Sequence, residues 1–164
     1  MKKISFIIFI LFLFGACTYG EEVIDGKKVF SPEEIIEKFN GGKDVWNSFR
    51  AENPQLDFGI LFKGVVLKKA DYSGMNLTNI DFTGSNMAGT NFEGSDFSDS
   101  ILKDVNFYNA NLKRVNFLNC ETRGANFDSA ALFQANFENT IVYKKWRDEF
   151  KKKDVKKYGT INWR

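Results

Sequence analysis

The sequence predicts an all-β solenoid with short helical ends, and three observations predict it. From Ile60 to Lys144 the chain divides without a gap into 17 blocks of five residues. In most blocks the third residue is Phe or Leu and the second is Asn or Asp. A period of five also fits neither regular element. Five residues of helix rotate through about 500°, so equivalent positions drift around the axis, and a step of five along a strand changes face every time. The chain must therefore turn at every block, and four blocks bring it back to its starting face. Coils built this way stack, pair their backbones and align equivalent residues in columns.

Written from Ala70, the blocks run ADYSG, MNLTN, IDFTG, SNMAG, TNFEG, SDFSD, SILKD, VNFYN, ANLKR, VNFLN, CETRG, ANFDS, AALFQ, ANFEN, TIVYK. ILFKG and VVLKK, ahead of them, keep only the apolar positions. These blocks resemble the pentapeptide-repeat family, whose usual block is A-(D/N)-L-x-x. The resemblance implies a right-handed quadrilateral β-helix with the first and third residues of each block pointing inward. Given that winding, the third positions stack as Leu67–Met87–Phe107–Phe127, Tyr72–Phe92–Leu112–Leu132, Leu77–Phe97–Phe117–Phe137 and Phe82–Leu102–Thr122–Val142. The interior stack is thus led by Phe82, Phe92, Phe97, Phe107, Phe117, Phe127 and Phe137. First positions should be small because the chain turns tightly there, and Met75 and Ile80 depart from that. Asn and Asp at the second position suit bonds to nearby turn backbone. Thr122, preceded by Glu121, marks the CETRG block as the expected irregularity. Four coils at about 4.8 Å give a rod roughly 20 Å tall.

A solenoid leaves open edges, so its ends need covers. Residues 31–59 read as an N-terminal helical cap. Ser31-Pro32-Glu33-Glu34 opens a helix, with Ser31 as N-cap, Pro32 at N1 and Glu34 reciprocating at N3. Ile35, Ile36 and Phe39 form its apolar side, and Asn40-Gly41-Gly42 stops it. A second helix is expected from about Asp44 to Ala51, with Val45, Trp46 and Phe49 along one side. Trp46-Asn47-Ser48-Phe49-Arg50, followed by Asn53-Pro54, resembles the W-N-x-W-R…N-P segment that often precedes the coils in this family, with Phe49 in place of its second tryptophan. The resemblance makes Trp46 and Phe49 cap residues; a ligand site built on Trp46 is the alternative. Residues 145–164 read as a basic C-terminal cap or tail. A helix from Lys145 to about Lys157 would turn Trp146 and Phe150 inward and its lysines to water.

The first 16 residues are of another kind. Lys2 and Lys3 precede the apolar run ISFIIFILFLFGA, which is too short to span a bilayer as a helix. Phe14-Gly15-Ala16-Cys17 resembles the lipobox of bacterial lipoproteins, although that family prefers leucine where Phe14 stands. The resemblance implies removal of residues 1–16, acyl chains on Cys17, and a polar tether over 17–30 leading into the fold. An ordinary secretory signal or an uncleaved anchor, with Cys17 incidental, is the alternative.

Composition excludes much chemistry. The chain has no histidine, two cysteines and a formal charge of +2, so His-ligated metals, Ser–His triads and Cys–His pairs are absent. Cys120 occupies a small inward position. Asp96 belongs to the repeat's own Asn/Asp column, and Asp99 and Asp104 face solvent, so no catalytic carboxylate pair stands out. No cofactor or metal site is expected. Charge is uneven: residues 144–164 carry a net of +6, against −4 for 17–59 and −2 for 60–143. The basic tail is either a soluble cap surface or a contact for anionic lipid or an acidic partner; nucleic acid is the least favoured partner. Ile101, Tyr108, Leu118, Phe133, Ile141 and Tyr143 should face outward, with Phe133 and Tyr143 close enough to Trp146 to be covered.

The reading that joins these features is a non-catalytic, lipid-anchored protein of the bacterial cell envelope, held to a membrane through Cys17. It would act as a structural or protein-interaction scaffold for an unidentified envelope protein. Some members of the repeat family mimic DNA and bind type II topoisomerases. Those are typically cytoplasmic, longer and markedly acidic, so that reading ranks second.

Overall fold

The computed structural model describes residues 22–24, 27–155 and 161–164. Its centre is a coil in which each level repeats the one 20 residues before it. Parallel bridges run Val66–Asn86–Asn106–Asn126, Asp71–Asn91–Asn111–Ala131, Asn76–Asp96–Asn116–Asn136 and Asp81–Ile101–Glu121–Ile141. These are the second positions of the blocks, and the four columns define four faces, taken here in that order.

The turn between faces repeats one geometry over most blocks. The third residue's carbonyl accepts from the N–H three residues on, as in Ser85 N–H to Phe82 O (2.9 Å) and Ala135 N–H to Leu132 O (2.9 Å). The fifth residue takes a left-handed φ: Gly84 and Gly94 at 73° and 70°, Asn119 and Asn139 at 59° and 56°. Gly, Asn and Asp tolerate that region, which explains their place in the block. Lys69, Arg114, Ser129 and Gln134 are held there as well. The second-position oxygen closes the turn from outside, accepting from the N–H two residues on, as Asp96 does from Ser98 (2.8 Å) and Asn106 from Tyr108 (3.0 Å).

Inside, all seven phenylalanines of the interior stack are 0% exposed. Their rings lie nearly parallel within a column: Phe107–Phe127 at 5.5 Å and 11°, Phe97–Phe117 at 5.6 Å and 18°, Phe117–Phe137 at 4.6 Å and 23°. Between columns they meet edge to face, as Phe92 and Phe97 do at 5.1 Å and 72°. Both are favoured aromatic arrangements.

The CETRG block is not irregular. Glu121 bridges Ile101 and Ile141 like any second position, and Thr122 is buried with its hydroxyl donating to Ile141 O (2.8 Å). Thr122 fits because its one polar group finds a backbone acceptor. Glu121, longer than Asn, turns outward to Lys103 and Arg123 instead of closing the turn.

At one end, helices α1 (Pro32–Asn40) and α2 (Lys43–Glu52) pack on the first coil. Ser31 caps α1 with a full capping box: its hydroxyl accepts from Glu34 N–H (3.2 Å) and Glu34 accepts from Ser31 N–H (2.8 Å). Phe39 and Trp46 meet Phe62 at 5.1 and 5.9 Å. Val45 does not share their side but is 44% exposed, while Arg50 is buried. At about 100° per residue Arg50 lies roughly 40° from Trp46, whereas Val45 lies roughly 100° away. Ahead of α1, within the segment read as a polar tether, β1 (Glu22–Ile24) and β2 (Lys27–Val29) pair antiparallel.

At the other end, the predicted helix to Lys157 is cut short. A 3-10 turn (Lys144–Trp146) leads into α3 (Arg147–Lys152), and Asp154 adopts a left-handed φ of 52°. The chain leaves the helix to pair with the last coil: Gln134 N–H donates to Asp154 O (3.1 Å) and Lys153 Nζ to Ala130 O (2.5 Å). Finally β4 (Asn162–Trp163) adds parallel to β3 (Ile141–Val142), extending the fourth face by one level. Trp146 and Phe150 are buried, with Phe150 against Phe137 at 4.6 Å and Phe127 at 5.4 Å.

Phe117→Ala is expected to cost about 3–5 kcal/mol in chemical denaturation, because it opens a cavity in a close-packed column. Tyr108→Ala, at a half-exposed outward position, should stay within about 0.5 kcal/mol.

Candidate functional site

Any function of the described residues must use surfaces, because the interior is fully occupied. Cys17 lies outside the described residues. Among the described residues no helix is long and apolar enough to cross a membrane, and no group of His, Cys, Asp or Glu is placed to hold a metal ion.

The inward first positions do more than stay small. Ser85, Ser95 and Ser100 donate their hydroxyls to the carbonyls of Phe62 (3.0 Å), Tyr72 (2.7 Å) and Leu77 (2.9 Å) on the preceding coil, and Thr90 and Thr140 do the same to Leu67 and Phe117. Sequence reasoning missed this second task; the signal was that so many of the small residues carry a hydroxyl. Cys120 belongs to the same set, with its thiol on Phe97 O at 2.9 Å. Burial pushes that thiol up to about 12, so it is neither a thiolate nor a nucleophile at neutral pH.

The outer surface carries amide ladders between coils. On the third face Asn116 donates to Asp96 (3.0 Å) and Asn136 to Asn116 (2.9 Å), while Asn119 donates to Asp99 (2.9 Å) and Asn139 to Asn119 (3.3 Å). Asp96 and Asp99 are thus acceptors at the foot of ladders. On the fourth face charges alternate in sign: Lys63 pairs with Asp81 (2.9 Å), and Lys103 (3.0 Å) and Arg123 both pair with Glu121. Partial burial raises both carboxyls, but their hydrogen bonds and cationic neighbours outweigh it. Asp81 and Glu121 therefore sit below the usual carboxylate range.

Exposed apolar residues are scattered. Ile101 and Tyr143 belong to the fourth face, Tyr108 to the first and Phe133 to the second, and Leu118 and Ile141 are half-buried. Phe133 (45% exposed) and Tyr143 (40%) are not covered by Trp146, which turns into the coil end against Phe127. Phe133 instead flanks an open groove of about 320 Å³ with Ala131, Lys152 and Lys153. A second groove, about 250 Å³, lies beside Asp57, Asp81 and Asp99. The four cap residues sit at opposite ends of the rod, Trp46 and Phe49 on the first coil and Trp146 and Phe150 on the last.

This geometry defines a four-sided β-helix whose two grooves, among the described residues, are open to solvent. The model of the family described as pentapeptide repeats matches residues 61–99 and 100–139. The repeat region belongs to the pentapeptide-repeat family, which implies the right-handed quadrilateral β-helix. Solved structures similar to the chain include a pentapeptide repeat protein from the thylakoid lumen of Arabidopsis thaliana, 23% identical over 70% of this chain and 85% of that one, with a TM-score of 0.36. Another is a pentapeptide repeat protein of the cyanobacterium Cyanothece, 18% identical over 59% of this chain and 83% of that one, TM-score 0.30. QnrB1, a plasmid-mediated fluoroquinolone resistance protein, is 20% identical over 49% of each chain, TM-score 0.33, so this chain spans about half its length. A search of curated proteins returned no match.

Alkylation should leave Cys120 unmodified in the folded chain and label it on unfolding; fast native labelling would place the thiol at the surface. The depressed Asp81 and Glu121 carboxyls add stability that is fully present above their unfolded pKa values and lost as pH falls through the lower folded ones. Melting temperature should therefore drop as acidification passes below the usual carboxylate range, and Glu121→Gln should flatten that drop.

Proposed function

We propose that this chain is a non-catalytic, lipid-anchored protein of the bacterial cell envelope whose β-helix serves as a structural or interaction scaffold. One observation carries the scaffold part: the inward third positions are apolar or find a backbone partner, and many first-position hydroxyls are spent on backbone carbonyls. Chemistry needs groups held in reserve, and this coil uses its polar groups to hold itself together. The anchoring part rests on sequence, on Phe14-Gly15-Ala16-Cys17 behind a basic and apolar start.

The tether would enter beside α1 and α2, while Lys144, Lys145, Arg147 and Lys151 to Lys153 belong to the opposite end of the coil stack. Anchored through Cys17, an upright rod would turn its acidic end towards the membrane and its basic end outward. Contact of that end with an acidic partner follows from this polarity, whereas contact with anionic lipid would need the rod to lie along the membrane; either would be salt-sensitive. A DNA-mimicking role gains nothing from the surface, where Lys63, Lys103, Arg114 and Arg123 lie among the carboxylates.

Intact mass of the membrane-fraction protein tests the anchor. Loss of residues 1–16 with two or three acyl chains on Cys17 is expected, and Cys17→Ser should abolish both. An unprocessed chain in the soluble fraction would sink the proposal.

A further inference from the structure

Side chains of α2 reproduce, on the third face of the first coil, the hydrogen bonds that a preceding coil would make. One level further on, the pattern is purely backbone. Asp96 N–H donates to Met75 O (3.0 Å), Asp96 O accepts from Leu77 N–H (2.7 Å), and Ser98 O accepts from Asn79 N–H (3.0 Å). The equivalent groups of the first coil are Asn76 N–H, Asn76 O and Thr78 O. Asn76 N–H donates to Asn47 Oδ1 (2.8 Å), Asn76 O accepts from Trp46 Nε1–H (2.6 Å), and Thr78 O accepts from Arg50 Nη2–H (2.8 Å). Asn47 Nδ2 adds a bond to Gly74 O (2.9 Å). An asparagine side chain is a free amide with donor and acceptor, so Asn47 stands in for a peptide group of the missing coil.

Arg50 shows that this arrangement is costly to build. It is 3% exposed, its guanidinium lies 4.7 Å from the Phe58 ring, and its Nε and Nη1 find no acceptor. A buried charge with unfilled donors is destabilising next to an apolar residue of similar volume. Methionine would fill the space, but it would leave Thr78 O open at the coil edge. Open coil edges are templates for another strand, and the best-matched strand is a coil with the same spacing and the same turn geometry. The neighbouring fourth face is already occupied by the chain itself, with Gly64 N–H on Thr83 O (3.0 Å).

We propose that Trp46, Asn47 and Arg50 form a lock that stops a second copy of this chain from pairing with the first coil, so that the rod keeps one length and stays a single copy. This goes beyond the scaffold reading and does not depend on the lipid anchor.

The test uses the full chain in detergent. In N47A the amide of Asn76 should exchange about tenfold faster, the loss of roughly one hydrogen bond. The amide of Leu77, held by Asp96 O within the coil, should not change. N47D keeps the accepting oxygen and should keep Asn76 protected. The double variant N47A/R50M leaves Asn76 N–H and Thr78 O without their partners together, and sedimentation should show it dimerising with concentration while the parent stays single. An unchanged Asn76 amide in folded N47A overturns the proposal. So does a folded N47A/R50M that sediments like the parent at every concentration, or a parent that already dimerises. Should the double variant not fold, sedimentation of N47A decides the question, because Asn47 is only half-buried and its truncation spares the packed interior.

Discussion

The structure depends on turning the backbone at every fifth residue without leaving a carbonyl unpaired. The third-position carbonyl sits at that corner and accepts from the N–H three residues on. Where the residue 23 positions later is Ser, Thr or Cys, that side chain also donates to it, as Cys120 does to Phe97 O beside the Ser100 N–H. The fifth residue must then be left-handed, which costs most side chains about 1–2 kcal/mol each. Gly, Asn and Asp lower that cost. Arg114 and Gln134 show that the coil can impose the conformation once its neighbours have fixed it.

Stacking converts this local turn into a cooperative object. Each coil offers the next a row of donors and acceptors, and columns of rings such as Phe97–Phe117–Phe137 exclude water between them. Amide ladders outside run in the same direction as the rings inside, so the backbone, core and surface all favour one register. A register slip would misalign all three. The same logic makes the ends the weak points, since a coil with no neighbour exposes the groups that make stacking favourable. The chain treats its two ends differently: at the first coil, side chains of α2 imitate a backbone, and at the last coil Asp154 and β4 supply real backbone.

The consequence for function is that the molecule, over its described residues, offers sides, ends and two open grooves. Its sides balance charge and scatter their apolar residues, whereas its ends differ in sign. Under the scaffold proposal such a rod would position and present a partner. Cys120 illustrates the point, because its thiol is spent on a carbonyl and held protonated by burial.

The repeat made the coil legible from sequence. A block with fixed positions for inward, outward and turning residues leaves little choice of winding, so the columns led by Phe82, Phe107 and Phe117 could be written down in advance. The helix at Ser31–Asn40 was equally legible, since a capping box is a local signal. Long-range partners were not legible. Nothing near Arg50 in sequence says that Thr78, 28 residues later, needs a donor, and nothing in the lysine-rich run after Phe150 says that Gln134 needs an acceptor there. Glu121 looked like a break because the block pattern lacks its salt-bridge partners, Lys103 on the preceding coil and Arg123 beside it. The sequence by itself determined where the chain turns and which residues face inward, because a short repeat fixes local geometry. Tertiary structure alone decided how the ends are closed, because that depends on which unpaired backbone groups meet which side chains across the stack.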